Sequence, residues 1–287
     1  MISTSSSIDK ANIAKSKVFE ESVQNNLAAN MVSAWDADHV TKGTTWILND
    51  KWGSNNGTFY DNTSTACTTS LCPQITTDNQ MGNVLSFDGI NDHVIYGNDT
   101  SLWMKTGSQT ISFWVKFDNA LAPQYETLLV CGAANSGAED GYWIRRELGT
   151  NRLYVTFGDG LVSVRLEGYL SGAGSLTNNT WYNIVTVFDR TSNTYAYING
   201  IKQFYNLDIS SRRGDIQNYY SLQTGTYSGA GHPFDGSFNN LKIYNTVLSS
   251  LKIKQNYIAG INSLLSKGQI SKEEYNSKLS NLAKTND

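Results

Sequence analysis

Charge is the first thing the chain has little of. Only 16% of its 287 residues are charged, against roughly 25% in an average globular chain. Combined with 11% aromatic residues, that excludes a disordered polypeptide, which lacks the apolar side chains to build a core. A basic excess is also missing. The 22 basic residues face 25 acidic ones, and no basic cluster is present to neutralise phosphates, which argues against a nucleic-acid partner. No apolar run approaches the roughly 18 residues of a membrane span, and Met1-Ile2-Ser3-Thr4-Ser5-Ser6-Ser7 has neither the basic nor the apolar region of a signal peptide. Cysteine is scarce. The three present have no second pair of Cys or His nearby that would suggest a metal site.

What remains is rich in Asn, Thr, Ser, Tyr and Gly, the habit of extracellular β-proteins. Cys67 and Cys72, in Cys-Thr-Thr-Ser-Leu-Cys, are close enough to bridge in a tight loop. A bridge would imply an oxidising compartment, and the alternative is two unpaired surface thiols. Cys131 lies in the apolar run Leu128-Leu129-Val130-Cys131 and reads as a buried free thiol.

Three zones follow along the chain. Residues 1–34 read as one helix. Ser6 and Asp9 form a capping signature, and Phe19, Val23, Leu27 and Met31 recur every four residues as a narrow apolar packing face. Such a helix needs something to pack on. Residues 35–247 read as about ten short strands without intervening helices, the pattern of an antiparallel sandwich. The expected strands are 84–88, 93–96, 110–117, 127–132, 142–147, 152–157, 162–167, 181–189, 194–198 and 238–244. Asn199-Gly200, between Tyr195-Ala196-Tyr197-Ile198 and Ile201-Lys202, is a strong hairpin signal because both residues tolerate positive φ. Residues 248–287 read as a helical hairpin. Leu251, Ile253, Tyr257, Ile261 and Leu264 form one stripe, ended by Gly268. Ser271 and Glu274 cap a second helix with Tyr275, Leu279 and Leu282.

Five segments carry a resemblance in order: Val84 to Tyr96 (Val-Leu-Ser-Phe-Asp-Gly-Ile-Asn-Asp-His-Val-Ile-Tyr), Thr110 to Phe117, Asn179 to Asp189, Ala196 to Gly200, and Phe234 to Asn245. Together they resemble the laminin-G-like domains of the concanavalin A-like lectin/glucanase superfamily. The resemblance covers roughly residues 32–259 and implies a mainly β fold, an antiparallel jelly-roll β-sandwich of two curved sheets. It also implies a structural Ca²⁺ near Asp88 and Gly89, with Asn239 as partner where the family usually has Asp. The other reading of Asp88 is a turn cap. The segment from Asp9 to Leu27 resembles the amphipathic half of the long helix of type IV pilins and pseudopilins. That resemblance implies a membrane-inserting half, absent from this sequence, ahead of Met1, and other pilin-like subunits as partners.

The chemistry expected is binding, not catalysis. The superfamily's glucanases place two Glu and an Asp on one strand to attack and protonate a glycosidic bond. No Glu-x-Asp-x-x-Glu run occurs here, and His39, His93 and His232 lack a nucleophile motif. Sugar binding needs aromatics that stack on sugar faces beside polar groups that fix hydroxyls. Tyr219, Tyr220, Tyr227 and His232 in a Gly-rich stretch have that composition, as does Tyr142-Trp143. The sequence therefore points to a non-catalytic, extracellular or cell-surface protein, a pilin-like helix displaying a sandwich for assembly, adhesion or surface-glycan binding. A free-standing lectin-like module or a viral surface protein is the alternative, and a glycan-cleaving enzyme comes last.

Overall fold

A computed structural model describes residues 3–61, 66, 71–119, 125–133, 140–147, 149–161, 165–216, 221–226 and 231–284, with side chains for all of these except 3–13 and Ala133. Two antiparallel sheets form the sandwich. The eight-stranded sheet runs β15 (Ile201–Asp208), β14 (Asn193–Ile198), β13 (Tyr182–Phe188), β8 (Gln109–Phe117), β17 (Asp235–Tyr244), β6 (Gly82–Asp88) and β5 (Gln74–Asp78). β1 (Met31–Trp35) pairs with β17 beyond the point where β6 leaves it. The nine-stranded sheet runs β12 (Leu166–Tyr169), β11 (Leu153–Asp159), β10 (Asp140–Arg146), β9 (Glu126–Ala133), β16 (Gln223–Thr224), β7 (Asp92–Ile95), β4 (Gly57–Asp61), β3 (Trp46–Leu48) and β2 (Val40–Lys42). The Asn199-Gly200 turn joins β14 to β15 with φ of 52° and 77°, the positive pair a two-residue hairpin requires.

Between the sheets lies one continuous core, in which Phe113 stacks on Phe238 at 5.0 Å and Tyr142 meets Phe188 at 4.8 Å. The eight-stranded sheet is apolar on its outer face as well, which happens only where something covers it. In β13, Ile184 and Phe188 enter the core, whereas Val185 and Val187 point outward. Three helices cover that second face: α1 (Ser3–Ala28), α2 (Ser250–Ser266) and α3 (Lys272–Lys284). Val23 and Leu27 of α1, flanked by Phe19 and by Met31, pack with Val185, Val187 and Tyr197 of the sheet and with Ile253 and Ala259 of α2. Tyr257, Ile261 and Leu264 of α2 and Leu282 of α3 pack around Trp114 and Val84. Ser249 and Ser271 hydroxyls cap α2 and α3 by accepting from the Lys252 and Glu274 amides, and Gly268 follows α2 at φ 71°.

The helix expected over 1–34 is shorter than its pattern. It ends at Ala28, and Met31–Trp35 is a strand laddered to Leu241–Tyr244. Leu27, Met31 and Trp35 continue the four-residue spacing, so periodicity cannot mark the break. Trp35 sits in the sandwich core, where its indole N–H donates to the Asn55 carbonyl at 2.7 Å, and a continued helix would leave it outside. Leu251, expected in the α2 stripe, is 65% exposed, and Ile253 is the buried residue of that first turn.

Candidate functional site

With helices on the eight-stranded sheet, the outer face of the nine-stranded sheet is the one they do not cover; on its β9–β12 part Trp143, Arg145, Tyr154 and Thr156 are nevertheless buried, and Tyr169 is exposed. Strand alternation sets its chemistry. Along β10, Tyr142 and Ile144 face the core, so Trp143 and Arg145 face out. Along β11 the same rule turns Tyr154 and Thr156 outward, and along β12 it turns out Glu167 and Tyr169. Cross-strand register puts Arg145 opposite Tyr154 and Trp143 opposite Thr156.

Arg145 is the centre of this face. It is only 4% exposed, and its guanidinium lies 4.5 Å from the Trp143 ring, 4.7 Å from Tyr125 and 5.1 Å from Tyr154. These are cation–π distances. Its Nη2 donates to the Thr156 hydroxyl at 2.6 Å, but its Nε is buried without a hydrogen-bond partner. Burial pulls the Arg145 pKa down from its ordinary value. His232 closes one end, edge-on to Tyr125 at 5.8 Å and to Trp143 at 6.4 Å, with its Nδ1 likewise buried and unpartnered. Burial, then the nearby Arg145, lowers the His232 pKa, so the ring is neutral at pH 7.

Tyr169 forms the open end. It is 36% exposed, with Arg152 4.5 Å above its ring and Tyr154 edge-on at 5.5 Å. Tyr154 donates its hydroxyl to Glu167 Oε2 at 2.6 Å, and Arg165 bonds the other oxygen. Burial works to raise the Glu167 pKa, but these two donors outweigh it and hold the carboxyl below its usual value. Tyr154 is pushed up, by burial first and then by Glu167, so its proton stays on. Here an ionised carboxylate, two edge-placed arginines and stacking rings can grip hydroxyls and an anionic group. An activated nucleophile is not among them.

The residues expected from sequence fall differently. Tyr219, Tyr220 and Tyr227 lie outside the described residues, and His232 joins the arginine-centred face. Tyr142 is a core residue, turned inward by the alternation that presents Trp143. Asp88 and Asn239 are not brought together. Asp88 pairs with Asp235, and Asn239 lies four residues further along β17, roughly 14 Å away at about 3.4 Å per residue. The Asn239 side chain is already engaged, accepting from the Ala37 and Asn240 amides and donating to the Asn83 carbonyl. Asp88 Oδ1 accepts from the Ile90 amide at 2.9 Å in the turn where Gly89 takes φ 73°, the turn-cap reading. Asp88 and Asn239 therefore lie too far apart along the sheet to share one calcium ion, and among the described residues no group of three or more carboxylate, His or Cys side chains is placed to hold a metal. Cys72 is disulfide-bonded, Cys67 lies outside the described residues, and Cys131 is a buried free thiol.

Sequence reasoning passed over Arg145, Tyr154, Glu167 and Tyr169. Their one signal is period-two placement on three successive strands, legible only once the register is known.

A laminin-G family model described as concanavalin A-like lectin/glucanases superfamily matches residues 88–254, more than half of the chain. No curated protein matches. Among solved structures, the binding domain of Paraclostridial mosquitocidal protein 1 superposes with a TM-score of 0.60 at 18% identity, over 81% of this chain and 53% of that one. The ligand-binding domain of botulinum neurotoxin serotype D, solved in complex with N-acetylneuraminic acid, gives 0.57 at 15% identity, over 82% and 52%. Domain 4 of AbnA, a GH43 extracellular arabinanase from Geobacillus stearothermophilus in complex with arabinotriose, gives 0.55 at 16%, over 79% and 98%. The chain spans about half of each toxin binding domain, and at these identities the likeness is one of fold.

Proposed function

The chain belongs to the concanavalin A-like lectin/glucanases superfamily, and from that premise we propose that it is a non-catalytic glycan-binding module displayed at a cell surface. The observation that carries this reading is Arg145. It is a buried guanidinium lined by three aromatic rings, with an unpartnered Nε, on the sheet face that the helices leave free. A cation kept in an aromatic cage without a carboxylate of its own is matched to an outside acceptor, and the adjoining Tyr169 ring is matched to a sugar face. Two similar folds support a saccharide: the neurotoxin domain holds N-acetylneuraminic acid and the arabinanase domain holds arabinotriose. Arg145 and Arg152, set over aromatic rings, favour a carboxylate-bearing glycan over a neutral one, Arg165 being already paired with Glu167. A glycan array with this chain and Arg145→Met tests it. Binding to acidic glycans, lost in the variant, supports the reading, whereas no binding to any glycan refutes it.

The cell-surface part of the proposal rests on the disulfide at Cys72, since such bonds persist in oxidising compartments. A second role belongs to α1. Phe19, Val23 and Leu27 of this 26-residue helix join the apolar cluster that seats it on the sheet and on α2. With the likeness of residues 9–27 to pilin helices, this favours a pilin-like arrangement, in which the helix seats the globular domain and also joins neighbouring subunits or a membrane anchor. Intact mass and peptide sequencing of the protein on its source cells test it. A further apolar stretch of about 20 residues ahead of Ile2 supports the arrangement, and a native start at Met1 removes it.

A further inference from the structure

The helix-covered side of the sandwich holds a polar cavity of about 180 Å³, on the opposite face from the Arg145 cage. That volume exceeds the roughly 150 Å³ of an engineered apolar cavity that admits benzene. Glu20 and Gln24 of α1 and Lys267 at the end of α2 line one side; Asn183 and Lys242 of the sheet, with Trp114, line another. Gln269 and the charged Asp36, Asp38 and Lys51 line it as well.

Its lining carries hydrogen-bonding capacity that the chain does not use. Asn183 is 2% exposed; its Nδ2 donates to the Phe113 carbonyl at 3.2 Å, but its Oδ1 has no partner. Gln269 Oε1 and Glu20 Oε1 are likewise buried and unpartnered. Asp36, the acidic neighbour of Lys242, is held by Lys51 and His39 at 2.6 Å each, which leaves Lys242 without an ion pair among the described residues. Three unpartnered acceptors and one amine thus belong to residues that line a single space. A neutral hydroxylated molecule satisfies both kinds, because each hydroxyl both donates and accepts. The lining favours neither sign of charge, because Glu20, Asp36 and Asp38 stand against Lys51, Lys242 and Lys267, and burial lowers the Lys242 pKa to about 8 and raises that of Glu20.

We infer that this cavity is a binding site for a small neutral polyol of monosaccharide size, held between α1, α2 and the sheet by Asn183, Lys242 and Gln269. Because Glu20 and Gln24 reach the cavity from α1, an occupant ties that helix to the sheet. The site is independent of the glycan-binding face.

The test uses the full chain with myo-inositol, D-glucose and D-galactose at millimolar concentration, and glycine as a zwitterionic control. Saturation-transfer NMR reads binding, and hydrogen exchange reads protection of α1 amides. Lys242→Met and Gln269→Leu keep the side-chain volume and remove the polar atom, and thermal melts check that both fold. The expected result is binding of at least one polyol but not glycine, with slower exchange in α1. Each substitution should weaken it about fivefold, the loss of one hydrogen bond, while glycan binding at the other face is unchanged. Four results would overturn the inference: no polyol binds, so that the cavity holds only water; glycine binds instead; both variants bind as tightly as the parent; or binding is lost in Arg145→Met but kept in the two cavity variants.

Discussion

Replacing Arg145 by Met separates two roles that a buried arginine can have. If the guanidinium is structural, removing it should unfold the face around it. The structure predicts otherwise. Taking an unpaired cation out of water costs several kcal/mol. Against this stand three aromatic rings at 4.5–5.1 Å, each worth about 0.5–2 kcal/mol, and one hydrogen bond from a charged group, worth about 1.5–3 kcal/mol. The two sides nearly cancel. Methionine keeps the apolar stem and fills most of the cage, so stability measured by urea unfolding should change by no more than about 1 kcal/mol. Binding should not survive so well. A charge-assisted hydrogen bond to a bound carboxylate is worth about 1.5–3 kcal/mol, so affinity for an acidic glycan, read by calorimetric titration, should fall about 10- to 150-fold. A variant that loses more than about 3 kcal/mol of stability, or one that binds as tightly as the parent, would refute the reasoning.

Other expectations follow from the same geometry. Leu27→Ala leaves a cavity where α1 meets the sheet, and should cost about 2–4 kcal/mol in chemical denaturation. Gly200→Val forces a β-branched residue to φ 77° with its Cβ 3.0 Å from Leu282 Cδ1, and should cost about 1–3 kcal/mol. Asp92 is 4% exposed, and burial, then the neighbouring Asp88, raises its pKa to about 7. The folded state therefore favours the protonated carboxyl. Its contribution is fully present below about pH 4 and is lost as pH rises through 7. Asp92→Asn should flatten that decline and be more stable at pH 8 by roughly 2 kcal/mol once solvent screening is allowed for, as read by unfolding at both pH values. Asn239→Ala should leave any response of the melting temperature to calcium unchanged, because Asp88 and Asn239 do not converge.

The fold was largely legible. Alternation in 110–117, the Asn199-Gly200 turn and the capped C-terminal helices each correspond to an element of the structure, because each rests on a local rule. The short strands β2 to β5 escaped because they have too few residues to show a period. The end of α1 escaped for the opposite reason, since its period runs on through Met31 and Trp35 into a strand. The site was the least visible part. Trp143 stood out as an aromatic, but Arg145, Tyr154 and Glu167 are ordinary strand residues until register sets them side by side. The Asp88 and Asn239 pairing failed for the same reason, because sequence similarity could not measure how far apart they lie along β17.

The central claim is that glycans bind on the Arg145 face, and a crystal structure with the best acidic ligand from a glycan array tests it most directly. The account predicts a sugar ring against Tyr169 and an anionic group within hydrogen-bonding distance of Arg145 or Arg152, near His232. A sugar bound instead on the helix-covered side, or across the β2–β4 end of the sheet, would contradict it.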